Sequence, residues 1–388
     1  MKIAININEL TLRQNTGVKV YTREIVRALG RVDKENEYIL YIKSLSKTEL
    51  SSEASELSSV LDSDFDRFKK FKIQNSKFNK PFWTYLKLPQ EIKKNQPDIL
   101  FMPIQTVPFF KKPKNMKVVV TVHDLAFLLF PDHFTKKDRF LLNFHTKRAV
   151  RIADKIITPS EATKKDIVRF YGINEDKIKV VWHGVEARHC LVSITTATKL
   201  ANKPYILFVG SIQPRKNITG LIEAFEKIKE NSPNPLFQIR NNVKLVICGG
   251  RGWMAEEIYK RAKESKFSDD IIFTGSVSDE ERDEFYKNAL IFALPSFYEG
   301  FGLPVLEAMS YGVPCIVGNN SSLSEIVGDN ALLVDANSSG DIAEKINLLL
   351  SNSELRKDLS RRGIENVEKF SWNKAAEKTL EVFAGCDL

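Results

Sequence analysis

Two short stretches hold side chains whose types and spacing could do chemistry. In SFYEGFGLPVLEAMSYGVPCIVG (296–318), Glu299 and Glu307 stand eight positions apart. Gly300 and Gly302 let the backbone turn tightly and approach a ligand, and Pro304 suits the first turn of a following helix. Glu307 then falls in that first turn while Glu299 hangs in the loop, so both carboxylates can line one strand-end crevice. Carboxylates accept paired hydrogen bonds from vicinal hydroxyls, which points to ribose or sugar. The alternative is that Glu307 only favours the helix dipole. Arg215 and Lys216, in GSIQPRKN (210–217), follow an apolar run and precede a helix. Free N–H groups and two cations there make an anion site suited to a diphosphate. GGRGW (249–253) and GSVSDEE (275–281) are further glycine loops, either ligand loops or ordinary turns, and Ser278 with Glu281 has capping-box spacing.

Such loops need a frame. A length of 388 residues suggests two domains. Residues 2–6 and 117–122 read as short buried strands, and 16–29, 135–153 and 160–172 as helices. An aperiodic stretch ends at Pro204, and alternation then restarts. Strands at 205–210, 244–250, 271–275 and 290–295 alternate with helices at 217–230 and 254–264, in SDEERDEFYKNA, and from near Pro304. PCIVG and ALLVD follow as further strands. Near-continuous apolar strands alternating with helices predict an α/β protein of two Rossmann-like domains, their parallel sheets facing a central cleft with ligands at the strands' carboxyl ends. The expected boundaries are 1–183 for the first domain, 184–203 for a linker and 204–370 for the second.

Composition excludes several classes. With 43% hydrophobic and 28% charged residues, the chain is too apolar to be disordered, and it holds no run suited to a membrane span. The start, MKIAININELTLRQ, lacks a secretory apolar region. Cys190, Cys248, Cys315 and Cys386 form no C-x-x-C and read as free thiols of a cytoplasmic protein. The five histidines lack metal-ligand spacing. VLDSD (60–64) mimics a metal-binding D-x-D but sits in a polar stretch and reads as a surface loop, so no metal is expected.

The net charge of +9 is uneven: residues 1–200 hold 36 Lys+Arg against 22 Asp+Glu, and residues 201–388 hold 22 against 27. Between Arg67 and Lys94 stand nine cations and one acid, Glu91, interleaved with Phe68, Phe71, Phe78, Phe82 and Trp83. That pattern suits an anionic bilayer or a lipid-diphosphate acceptor. It equally suits a solvated face over core aromatics. No nucleic-acid recognition motif accompanies the charge.

VGSIQPRKN, FTGSVSDEE, the Glu299–Glu307 spacing, TVHDL (121–125) and the FSW turn (370–372) together resemble the retaining glycosyltransferase family 4, of GT-B fold, and within it bacterial O-antigen and lipopolysaccharide mannosyltransferases. The resemblance covers nearly the whole chain. It implies that Arg215 and Lys216 bind the leaving diphosphate, Glu307 the nucleotide ribose, and Glu299 the donor sugar. It places the backbone of Phe301, Gly302 and Leu303 at the sugar or phosphate and that of Val277 at the base. Gly210, which ends the first donor-domain strand, counts with Gly17 among the nucleotide-binding residues, Gly17 near the phosphate, and His123 lies at the sugar's reacting face. The last helix, 371–388, would cross back onto the first domain. The implied reaction moves a hexose, best matched by mannose from GDP-mannose, to a lipid-linked or cell-surface glycan, with retained configuration and neither metal nor cofactor. The protein would be peripheral at the inner face of the plasma membrane. A UDP-sugar donor, or a non-catalytic sugar-nucleotide-binding subunit, are the competing readings. Two departures stand out: Ser211 where many relatives carry Arg, and His183-Gly184-Val185 where many carry Asn-Gly-Val.

Overall fold

A computed structural model describes residues 1–11, 16–43, 71–76, 87–185, 203–230 and 242–386. VLDSD, Cys190, most of the linker, and Arg67, Phe68, Lys69, Lys70, Lys77, Phe78, Lys80, Phe82 and Trp83 lie outside the described residues. The chain divides into two compact units. One is Met1–Leu128 with Lys136–Gly184 and Ser371–Leu388; the other is Leu129–Thr135 with Val185–Phe370.

The first unit is built on seven parallel strands: β1 (Lys2–Asn6), β2 (Glu37–Lys43), β3 (Phe71–Ser76), β4 (Ile99–Met102), β5 (Lys117–Thr121), β6 (Lys155–Thr158) and β7 (Ile178–Val180). Their spatial order is β3-β2-β1-β4-β5-β6-β7. Strands such as ILFM and KVVVT are buried along almost their whole length because helices cover both faces, which is why they carry no polar alternation. The sequence reading named only β1 and β5 of these seven. β6 and β7 are four and three residues long, too short for periodicity to register. Within 67–94, FKIQNS forms β3, which pairs in register with β2 as an edge strand. The last helix, Trp372–Ala384, packs along the first, Gly17–Val32. Arg31 Nε donates to Asn373 Oδ1 at 3.1 Å, and the rings of Phe383 and Phe101 meet at 5.3 Å.

The second unit repeats the plan with six parallel strands: β8 (Tyr205–Val209), β9 (Lys244–Cys248), β10 (Ile271–Gly275), β11 (Ile291–Leu294), β12 (Cys315–Gly318) and β13 (Leu332–Val334). Their order is β10-β9-β8-β11-β12-β13. In both sheets the order reverses beside the first strand, between β1 and β4 and between β8 and β11. At such a switch point neighbouring loops leave in opposite directions and open a crevice at the carboxyl ends. Cys248, Cys315 and Cys386 are buried free thiols.

Candidate active site

The loops leaving β8 and β11 meet at the second unit's switch point. After β8, Gly210 bonds its N–H to Cys248 O at 2.9 Å, and Pro214–Lys216 close a 3-10 turn. Asn217 then takes the left-handed conformation (φ 54°), tolerable for Asn, before helix Ile218–Glu230 begins. Its side chain holds the loop in place: Nδ2 donates to Pro295 O at 3.0 Å and Ala336 O at 2.6 Å, and Oδ1 accepts from Gly220 N at 3.3 Å. Phe297 N donates to Arg215 O at 3.0 Å, joining the two loops directly.

That junction gathers three charges. Lys216 Nζ donates to Glu299 Oε1 at 2.6 Å, and Arg215 Nη1 to Glu299 Oε2 at 3.2 Å and Tyr298 O at 2.5 Å. Ser296 Oγ donates to Glu299 Oε1 at 2.8 Å. The Glu299 backbone is fixed as well, its N–H donating to Ser321 Oγ at 3.0 Å and its carbonyl accepting from Ser322 Oγ at 2.9 Å. All three charged side chains are buried. Burial alone would raise the Glu299 carboxyl, but the charges of Lys216 and Arg215 and the bonds from Lys216 and Ser296 outweigh it and hold it below its ordinary range. Glu299 is thus an ionised anchor between two cations. The pair has a structural partner of its own, and the first free N–H groups of the following helix are partly taken by Asn217.

Glu307 has contacts of its own. Helix Leu303–Ser310 begins just after Gly302, so Glu307 is its fifth residue and not in the first turn as the sequence reading had it. Gly302 sets that start: its φ of 112° suits glycine, and a Cβ there would lie 2.7 Å from Leu323 Cδ2. Instead of capping the helix, Glu307 accepts from Tyr286 OH at 2.8 Å and faces Arg282 Nε at 3.8 Å. Burial pulls the Arg282 guanidinium down, but Glu307 and Asp279 more than reverse that, while burial and Glu307 push the Tyr286 phenol well up. Phe301 is buried, its carbonyl accepting from Ser322 Oγ at 2.9 Å, and Leu303 is half-buried. Val277 lies between β10 and helix Asp279–Asn288, whose Ser278–Glu281 capping box is formed.

His123 and Gly17 belong to the first unit. His123 follows β5, and its Nε2–H donates to Pro103 O at 2.9 Å, beyond the end of β4. Burial keeps its imidazole below the ordinary value despite that bond, leaving a neutral ring with Nδ1 as its basic nitrogen. Tyr21 meets it edge-on at 4.9 Å and lies 4.6 Å from His183, which stacks on Trp372 at 5.8 Å. Gly17 opens helix Gly17–Val32 behind a Thr16 cap, and a Cβ there would meet nothing within 4 Å.

The structure thus joins Arg215, Lys216 and Glu299, and sets Glu307 with Arg282 and Tyr286 on the same unit. Sequence reasoning missed Asn217, Ser296 and the serines at 321 and 322. Asn directly after P-R-K, where the chain must change direction, was the one available signal.

Solved structures similar to this chain share the architecture. Sucrose-phosphate synthase from Thermosynechococcus elongatus matches with a TM-score of 0.72 at 17% identity, over 99% of this chain and 98% of that one. WaaG, a glycosyltransferase involved in lipopolysaccharide biosynthesis, matches with a TM-score of 0.69 at 15% identity, over 99% and 100%. Two parallel sheets of Rossmann strand order, each covered by helices, are the GT-B architecture. Residues 15–189 match the family described as Glycosyltransferase Family 4, and residues 195–366 match Glycosyl transferases group 1. O-antigen chain mannosyltransferase B of Escherichia coli is 30% identical over 71% of this chain and 72% of its own length. D-inositol 3-phosphate glycosyltransferase of Streptomyces bingchenggensis is 28% identical over 61% and 54%. The chain belongs to glycosyltransferase family 4 and is a glycosyltransferase.

Proposed function

We propose that the protein transfers a hexose, mannose from GDP-mannose, to a lipid-linked or cell-surface glycan with retention of configuration and without a metal ion or other cofactor. The observation that carries the reading is the Arg215–Lys216–Glu299 cluster at the carboxyl end of β8. The difficulty of the reaction is the leaving group, since a nucleoside diphosphate gains charge as an oxocarbenium-like sugar forms. Two cations already fixed by Glu299 need no reorganisation to meet that charge, and one such preorganised donor commonly contributes about 10²–10³ in rate. They take the place a divalent metal fills in other transferases.

Glu299 itself is ill suited to accept a proton or to attack carbon, being ionised and tied by three donors. It serves to position the cations and the donor sugar. The departing phosphate oxygen takes the acceptor's proton on the same face, which retains configuration. Glu307 receives the ribose hydroxyls, with Phe301, Gly302 and Leu303 at the sugar or phosphate and Val277 at the base. From the first unit, His123 orients the sugar and Gly17 leaves room for phosphate. Mannose is favoured by the O-antigen mannosyltransferase relative. No helix among the described residues is long and apolar enough to cross a membrane. With a lipid-linked acceptor, the protein works at the inner membrane face as a peripheral protein. A thermal-shift panel tests the donor: stabilisation by GDP and GDP-mannose but not UDP is expected, and the reverse would replace mannose by a UDP-sugar.

A further inference from the structure

Among the described residues, the first unit carries a surface that its own packing does not use. Helix Lys136–Ile152 turns Thr146, Ala149 and Val150 inward. Its other side exposes Phe140, Leu141 and Phe144, with Phe140 at 69%. Phe140 and Phe144 are one turn apart and share a face. Phe109, also exposed, extends the patch, its ring 6.1 Å from that of Phe144. Arg148 fixes this extension: its guanidinium lies 4.2 Å over the Phe109 ring, and it donates to Val107 O and Pro108 O, each at 2.8 Å. An apolar cluster held open to solvent in this way marks a contact surface.

The charge around it narrows the partner. The helix KKDRFLLNFHTKRAVRI holds six Lys or Arg against one Asp. Lys136, Lys137, Lys147 and Arg151 are exposed. At about 100° per residue they fall within roughly 60° of Phe140 around the helix axis, while Asp138 falls on the far side. Long cationic stems can lie flat over apolar neighbours and keep their charges outward. A second copy of this chain would set six cations against six, so self-association is disfavoured by like charge.

We propose that this face docks the protein on an anionic lipid bilayer, Phe140, Leu141, Phe144 and Phe109 entering the interface and the flanking cations meeting the headgroups. The inference rests on the peripheral-membrane reading above and assigns it a surface distinct from the basic stretch at 67–94. Co-sedimentation of the full chain with phosphatidylglycerol–phosphatidylcholine vesicles, and with phosphatidylcholine alone, tests it. Wild-type protein should bind the anionic vesicles, less so at high salt. Phe140→Ser with Phe144→Ser should lower partitioning about tenfold or more, the scale expected for two buried aromatic rings. That variant should keep the wild-type melting temperature and GDP-induced stabilisation. Equal binding by the double variant would overturn the assignment and leave the membrane reading to another surface. No binding by wild type would overturn both. Concentration-dependent dimerisation abolished by the variant, without vesicle binding, would make the face a contact between copies and overturn the proposal.

Discussion

Lys216→Ala separates the catalytic reading of the cation pair from a merely structural one. Removing one partner of a buried ion pair costs about 3–5 kcal/mol when the other charge is stranded. Glu299 is not stranded here, because it keeps Arg215 Nη1 at 3.2 Å and Ser296 Oγ at 2.8 Å, and its backbone stays bonded to Ser321 and Ser322. The loss should therefore resemble that of one hydrogen bond to a charged group, about 1.5–3 kcal/mol. The second unit spans 193 residues. For a domain of that size each kcal/mol shifts Tm by about 2–4 °C, which gives a fall of roughly 3–12 °C. The chemical step loses more, since leaving-group charge then meets one cation fewer and kcat/KM should drop about 10²–10³-fold. Nucleoside diphosphate release, measured well below the variant's Tm and beside an unfolding scan, reads both quantities. A variant that melts inside that window and keeps wild-type kcat/KM would refute the assignment of Lys216 to the leaving group.

Two further predictions concern protons. The folded second unit holds the Glu299 carboxyl below the ordinary 4.5. Its stabilisation is thus present above that value and lost as pH falls through the depressed one. Denaturant unfolding should show the wild-type advantage over Glu299→Gln shrinking in that acid window, and a difference constant with pH would count against the ionised anchor. In the first unit, burial, seconded by the neighbouring His123, pushes the His183 imidazole well below 6.5. The unfolded chain then binds protons that the folded chain refuses, so stability is full above about 6.5 and drains as pH falls below it. His183→Phe keeps an aromatic ring against Trp372 and should flatten that decline. An unchanged profile would mean another group titrates there.

The parts of the fold legible in the sequence were those with a long enough signature. β5 and β8 are near-continuous apolar runs, and the helix at Glu161–Tyr171 begins at a Ser160 cap and ends at Gly172 in the left-handed conformation (φ 63°). β6 and β7, of four and three residues, have no such signature. What makes them strands is the neighbour each pairs with, and pairing partners are not written locally.

The site divides along the same line. Arg215, Lys216 and Glu299 could be singled out because charges at apolar strand ends need a reason. Their mutual distances could not, since 83 residues separate Lys216 from Glu299 in the chain. The sheet order brings them together: β8 and β11 are neighbours although β9 and β10 intervene in sequence. Glu307 shows the opposite case. The sequence suggested a place in the helix's first turn, but the helix begins at Leu303, behind Gly302, so Glu307 is its fifth residue, bonded to Tyr286 OH and facing Arg282. The spacing of the two acids is thus a reliable sign of the loop that carries them, and each acid's role is set by the element packed against it.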